Sequence, residues 1–260
     1  MYRSQLITLL LLAGWAGAAD LSFIKNTARH CPQKDQCLAT VEIRSINSAD
    51  KALNDYADKI LQEGADGLQS LDQAGLKAWL QKNADEVVAG DDGEATPSFF
   101  FEVEPLGETA HYRVLQFSKH VPDDTLRGMD YATFHVLPKE GELKPLPLAE
   151  ILLPNQRAQL DELQKQNLVA GMEKKEAEEY LKSYDFKPGD NWRPDAKGLV
   201  FSYDTSEIAP QAQGIQEILV PKEQLKAVVK PEFLKELDSW QKFEWDKSMG
   251  EPVLKPQWRR

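Results

Sequence analysis

GLVFSYDTSEIAPQAQGIQEILVP, residues 198–221, carries two runs of period two on either side of a bend. Leu199, Phe201 and Tyr203 alternate with Val200, Ser202 and Asp204. Beyond the bend, Ile218 and Val220 alternate with Glu217 and Leu219. Successive side chains of an extended chain point to opposite faces, so this spacing predicts strand, loop and strand. Gly214 gives the bend a permissive exit, and Pro210 stiffens its middle. The stretch contains no cysteine or histidine and none of the residues that surround a hydrolytic nucleophile.

The same period recurs upstream in SFFFEVEP, HYRVLQFSKHV and DYATFHVLP, with turns expected at residues 105–107 and at KEGE. LKPLPLAEILL continues the antiparallel theme, although Pro145 and Pro147 restrict it to an edge or a strand exit. Nearer the start, LATVEIRSI alternates as a strand with one buried face. Asn47 or Ser48 can then cap a helix carrying Leu53, Tyr56 and Ile60. After Gly64 and Gly67, Leu68, Leu71, Leu76, Trp79 and Leu80 form an apolar stripe. Residues 90–97, GDDGEATP, read as a loop. Residues 155–184 are rich in helix formers divided at Gly171, and DFKPGDNWRPDAKG reads as a second loop. Two short helices follow Pro221, and the tail carries Phe243, Trp245 and Trp258 without a period. The predicted fold class is α+β: an antiparallel sheet packed against helices, with the strands mainly in the middle and C-terminal half. The expected division is 1–18 leader, 19–90 N-terminal strand and helical lobe, 91–240 α+β domain and 241–260 aromatic tail.

The first residues have the parts of a secretory signal: Arg3, an apolar run from Leu6 to Leu12, and Ala16-Gly17-Ala18 before an expected cut at Ala19. The run is well short of the ~20 residues that span a bilayer. About 240 residues would remain, enough for one large domain or two small ones. The expected location is periplasmic or secreted, with no membrane span after cleavage. The formal net charge of −11 disfavours nucleic acid, whose phosphates are neutralised by lysine and arginine, and favours approach of a basic partner. The two cysteines, in HCPQKDQC, predict a Cys31–Cys37 disulfide in an oxidising compartment. A metal reading with His30 lacks a fourth ligand.

No nucleophile elbow, zinc-binding histidine motif or phosphate cradle occurs. Asp204 and Glu207 sit three apart on one loop, unlike the opposed carboxyls of a glycosidase. The sequence therefore predicts no catalytic residues, no metal and no cofactor.

"GLVFSYDTSEIAPQAQGIQEILVPKEQL" resembles the C-terminal segment of a bacterial extracytoplasmic domain family. That family forms the lysozyme-sensing ectodomain of RsiV-type anti-sigma factors and accompanies peptidoglycan deacetylases of the PdaC type. Its pattern is glycine, a strand ending in tyrosine, E-I-A-P, a glycine, then a strand ending in proline before a short helix. "ATFHVLPKEGELKPLPLAEILLPNQRAQLDEL" is similar to the family's preceding strand, turn and exit into a helix. With the order of elements around these two stretches, the resemblance covers roughly residues 112–229. This chain has Thr205-Ser206 and Gln211 where the family commonly places aromatics, and DDTLRGMDY replaces its G-G-x-H turn. The resemblance implies a non-enzymatic binding domain at the cell envelope whose partner is a lysozyme, another basic wall-directed protein, or peptidoglycan. Ser206, Glu207, Pro210, Gln211 and Gln213 would make the contacts. The alternatives are a structural envelope protein docking through Trp245 and Trp258, or a cell-wall hydrolase.

Overall fold

The computed structural model describes residues 21–31, 37, 39–83, 98–122, 128–246 and 253–254. The leader, the loop at 90–97, most of the DDTLRG stretch and Trp258 lie outside the described residues.

The fold is α+β. Five strands lie in the order β1 (Ser22–His30), β2 (Ala39–Asn47), β3 (Ser98–Glu108), β4 (Tyr112–Val121) and β5 (Met129–Pro138). Neighbours pair antiparallel except β2 and β3, which run parallel because α1 (Lys51–Gly64) and α2 (Gln73–Asn83) cross between them. A second, three-stranded antiparallel sheet holds β6 (Trp192–Asp195), β7 (Gly198–Tyr203) and β8 (Gln216–Pro221), with β7 central. β7 is buried along its whole length, on both faces.

The two faces of the large sheet serve different cores. Val41, Ile43, Phe99, Phe101, Val103, Leu115 and Phe117 face α1 and α2, where they meet Leu53, Ile60, Leu61, Leu76 and Trp79. Val114, Phe134 and Val136 face the other way. They pack with Leu199, Phe201 and Tyr203 of β7, with Leu160 of α4 (Arg157–Leu168), with Leu225 of α6 (Lys222–Leu225), and with Phe233 and Leu237 of α7 (Pro231–Asp238). Burial of this kind contributes about 25 cal/mol per Å² of apolar surface removed from water.

Several local expectations change. Residues 105–107 are not a turn. β3 runs on to Glu108 through a register shift between Pro105 and Gly107, and the reversal lies at Thr109, whose amide donates to the Tyr112 carbonyl at 2.7 Å. Just past the shift, the tail strand β9 (Gln241–Lys242) pairs with Gly107 and Glu108. A Cβ at Gly107 would stand 2.4 Å from the Gln241 carbonyl oxygen, closer than real contacts allow. LKPLPLAEILL is not a strand: it forms the short helix α3 (Leu148–Ile151), then a single bridge from Leu152 to Val229. DFKPGDNWRPDAKG is not all loop, since it supplies β6. The α1 cap is Asp50, whose Oδ1 accepts the Leu53 amide at 3.2 Å, rather than Asn47 or Ser48. Gly171 divides α4 from α5 (Lys174–Ser183) at φ +90°.

The tail returns to the sheet. Phe243 is buried, and its amide donates to Leu106. Trp245 lies edge-on to Phe23 at 4.9 Å and donates its indole N–H to the Pro105 carbonyl at 3.1 Å. Trp245 thus packs within the chain rather than standing out for an assembly.

Candidate functional site

The bend between β7 and β8 is anchored along the free edge of β5. In an antiparallel strand the N–H and C=O of every second residue point to the same side. On β5 the outward residues run from Asp130 to Val136, and side chains and loops take the place of a sixth strand. Thr205 donates its amide to the Asp130 carbonyl at 3.1 Å and accepts the Asp130 amide on Oγ1 at 3.2 Å. Asp204 Oδ1 accepts the Ala132 amide at 3.0 Å. Asn191 donates to the Ala132 carbonyl and accepts the Phe134 amide, and the Leu146 amide donates to Val136.

These contacts fix the predicted residues differently. Ser206 is exposed and sits at φ +69°, a left-handed conformation that few non-glycine residues adopt. Glu207 is exposed, but its Oε2 accepts the Asp204 amide at 2.9 Å while its own amide donates back to the Asp204 carbonyl. Ile208 and Ala209 are buried, and the Ile208 carbonyl accepts the Tyr180 hydroxyl. Pro210 is exposed and leads into a single 3-10 turn, Gln211–Gln213, closed by the Gln213 amide on the Pro210 carbonyl at 2.8 Å. Gln211 is half-buried and donates to the Gly128 carbonyl at 3.0 Å. Gln213 is exposed, and Gly214 leaves the turn at φ +65°. The outward surface of the bend is therefore Ser206, Glu207, Pro210, Ala212 and Gln213. Gln211 braces it from the side.

Burial pushes the Asp204 carboxyl above its ordinary value, against the opposing pull of the Ala132 N–H and of Lys119. Its contact to Ala132 and that of Glu207 to Asp204 make both acids parts of the turn. Below the bend, Tyr203 donates to Oε1 of the fully buried Gln164 at 2.6 Å, and that oxygen also accepts the Gly189 amide at 3.0 Å. Burial raises the Tyr203 hydroxyl to about 12. At the start of β5, His120 Nδ1 meets Asp130 Oδ1 at 2.8 Å, beside the Gly128 that Gln211 holds.

A separate cleft of about 330 Å³ lies between the start of α1 and the tail, lined by the Asp50–Arg113 ion pair and by Leu53, Leu115 and Phe243 among others. No three histidine, cysteine or acidic side chains gather as metal ligands among the described residues. Cys31 and Cys37 are joined by a disulfide, and no helix among the described residues is long and apolar enough to cross a membrane.

Sequence reasoning missed Asn191, Thr205 and Gln164. Each acts through side-chain bonds to distant backbone or to a buried hydroxyl, which leave no periodic trace.

No curated protein matches the chain. A crystal structure of a DUF3298 family protein from Pseudomonas aeruginosa PAO1 is similar at 17% identity and a TM-score of 0.66, covering 84% of this chain and 97% of that one. A second, of a DUF3298 family member from Bacteroides fragilis NCTC 9343, is similar at 19% identity and a TM-score of 0.62, covering 87% and 100%. Residues 148–223, from the start of α3 through β7, the bend and β8, match the family described as "Protein of unknown function (DUF3298)", and the fold around them is one that two DUF3298 family structures share.

Proposed function

We propose that the chain is a non-catalytic, extracytoplasmic binding domain of the cell envelope. Its bend at 204–214 would contact a lysozyme or another basic wall-directed protein, as the RsiV-type and PdaC-type resemblance implies; peptidoglycan is the other ligand in view. One observation carries the reading. The bend is bonded through its backbone and through Asp204, Thr205 and Gln211 to the edge of β5, yet Ser206, Glu207, Pro210 and Gln213 remain exposed. A surface ordered before contact loses less conformational entropy on binding than a loose loop does. The net charge of −11 speeds encounter with a basic protein and makes that encounter salt-sensitive.

Titration with lysozyme at low and high salt is the direct test. Binding should weaken with salt, and Gln213→Lys, which places a cation on the exposed surface, should lower affinity at least tenfold while leaving the fold intact. Glu207→Ala and Gln211→Ala should weaken it less specifically, because both also hold the turn. Absence of lysozyme binding at either salt, with sedimentation on purified peptidoglycan also negative, defeats the proposal. Turnover of that peptidoglycan, abolished by Asp204→Asn, would establish a hydrolase instead.

A further inference from the structure

The two edges of the large sheet are treated in opposite ways. Along β5, Thr205, Asp204, Asn191 and Leu146 cover the outward backbone groups from Asp130 to Val136. At the other edge, β1 pairs with β2 over all nine of its residues, and no other described backbone bonds to its main chain; its one hydrogen bond to described backbone beyond β2 is through a side chain, Asn26 Nδ2 donating to the Leu71 carbonyl at 2.9 Å. Every second N–H and C=O of β1 therefore faces outward unpaired by described backbone, which is the template an incoming strand requires. Ile24 on this strand is the large hydrophobic side chain left exposed among the described residues, at 49%.

The charge of β1 selects what can add there. SFIKNTARH carries Lys25, Arg29 and His30 and no acid, in a chain whose net charge is −11. Lys25 reaches Glu42 at 2.7 Å but stays half exposed; Arg29 is exposed and makes no ion pair with a described residue. Cationic side chains on an edge strand commonly serve to prevent edge-to-edge association, and here they do so for self-pairing. An antiparallel second copy centred on Thr27 sets Lys25 opposite Arg29, a repulsive cross-strand pair. The same two charges attract an acidic strand.

We propose that the outer edge of β1 is a docking site for an extended acidic segment of a partner protein, which adds as a further strand, covers Ile24 with an apolar side chain and sets carboxylates near Lys25 and Arg29. This surface is independent of the bend at 204–214: the two lie at opposite edges of the sheet, about 19 Å apart at ~4.8 Å per strand. Main-chain bonds would supply affinity and the alternating charges specificity, as in other strand-addition complexes.

The test uses the purified protein and two nine-residue peptides, one alternating valine with glutamate and the other alternating valine with lysine, read by fluorescence anisotropy. The glutamate peptide should bind at least tenfold tighter than the lysine peptide and slow hydrogen exchange at β1 amides. Methylating alternate peptide nitrogens should abolish binding when the methyls lie on the pairing edge and spare it when they lie on the other. Arg29→Glu should lower affinity at least fivefold without moving Tm. Equal binding of the two peptides, no binding, binding that survives methylation on both edges alike, or protection away from β1 would each overturn the proposal. So would a concentration-dependent dimer that protects the same β1 amides, since it would make a second copy the occupant.

Discussion

Asn191 donates its side-chain amide to the Ala132 carbonyl at 2.6 Å, and its carbonyl oxygen accepts the neighbouring Phe134 amide at 2.8 Å. One side chain thus reproduces the pair of bonds that a strand residue would make to β5, and it joins the small sheet to the large one. An unsatisfied buried backbone group costs about 1–3 kcal/mol, so Asn191→Ala should destabilise the protein by about 2 kcal/mol or more in urea unfolding. Asn191→Asp sharpens the test. At pH 7 its carboxylate can still accept from Phe134 but opposes the Ala132 carbonyl. It should therefore cost at least as much as alanine at pH 7 and recover as the pH is lowered and the carboxyl takes up a proton, since the neutral acid can donate to Ala132.

Tyr203 gives an alkaline signature. Burial holds its hydroxyl at about 12 in the folded chain against an ordinary 10, so the folded state keeps the proton longer than the unfolded state does. The stabilisation is complete below pH 10 and is lost as pH rises toward about 12. Tyr203→Phe removes the bond to Gln164 and should cost about 1 kcal/mol at pH 8. Its stability relative to wild type should improve between pH 10 and 12, a reversal that thermal melts across that range would show.

Glu236 acts at the acid end. Burial pushes its carboxyl upward, but hydrogen bonds from the His111 side chain, Thr109 and the His111 amide, with the His111 charge, outweigh burial and hold it below its usual 4.5. A lowered carboxylate contributes stability above its unfolded pKa and loses it as pH falls through the folded one. Glu236→Gln should therefore be less stable than wild type at pH 6, by about 1 kcal/mol. The gap should close as the pH is lowered past 4. A gap constant from pH 6 to pH 3 would disprove this account.

Gly107 tests the docking of the tail. A methyl there meets the Gln241 carbonyl oxygen at 2.4 Å and the Trp240 ring at 2.9 Å. Gly107→Ala should lift β9 from β3 and cost about 1–3 kcal/mol, the usual range for overpacking. Because Phe243 and Trp245 follow β9, the same variant should red-shift the tryptophan emission, and an unchanged spectrum with unchanged stability would count against the pairing.

The alternation of residues 198–221 was legible because β7 and β8 carry their apolar residues at fixed period, and the same holds for β3, β4 and β5. The reading failed where a strand is defined by its neighbours. β6 is four residues long and includes Pro194, so no pattern announces it. The parallel pairing of β2 with β3 depends on how α1 and α2 cross, which spacing does not encode. For the bend, its exposure at Ser206 and Pro210 was readable from polarity and turn residues. Its attachment was not: Thr205 looked like a place where an aromatic was missing, whereas it is buried and bonded to Asp130 in both directions. A side chain that mimics a strand carries no signal beyond its own identity.

Val114 and Leu115 are neighbours on β4, yet one completes the interior under β7 and the other the interior under α1. Loosening either interior pulls on the same peptide bond, so melting of one half should drag the other with it in a single transition. The stretch 148–223 that is recognisable by family is therefore no autonomous piece. Cut out, it would leave behind Val114, Phe134, Val136 and the greasy side of α7, and Phe201 and Tyr203 would be bared to water.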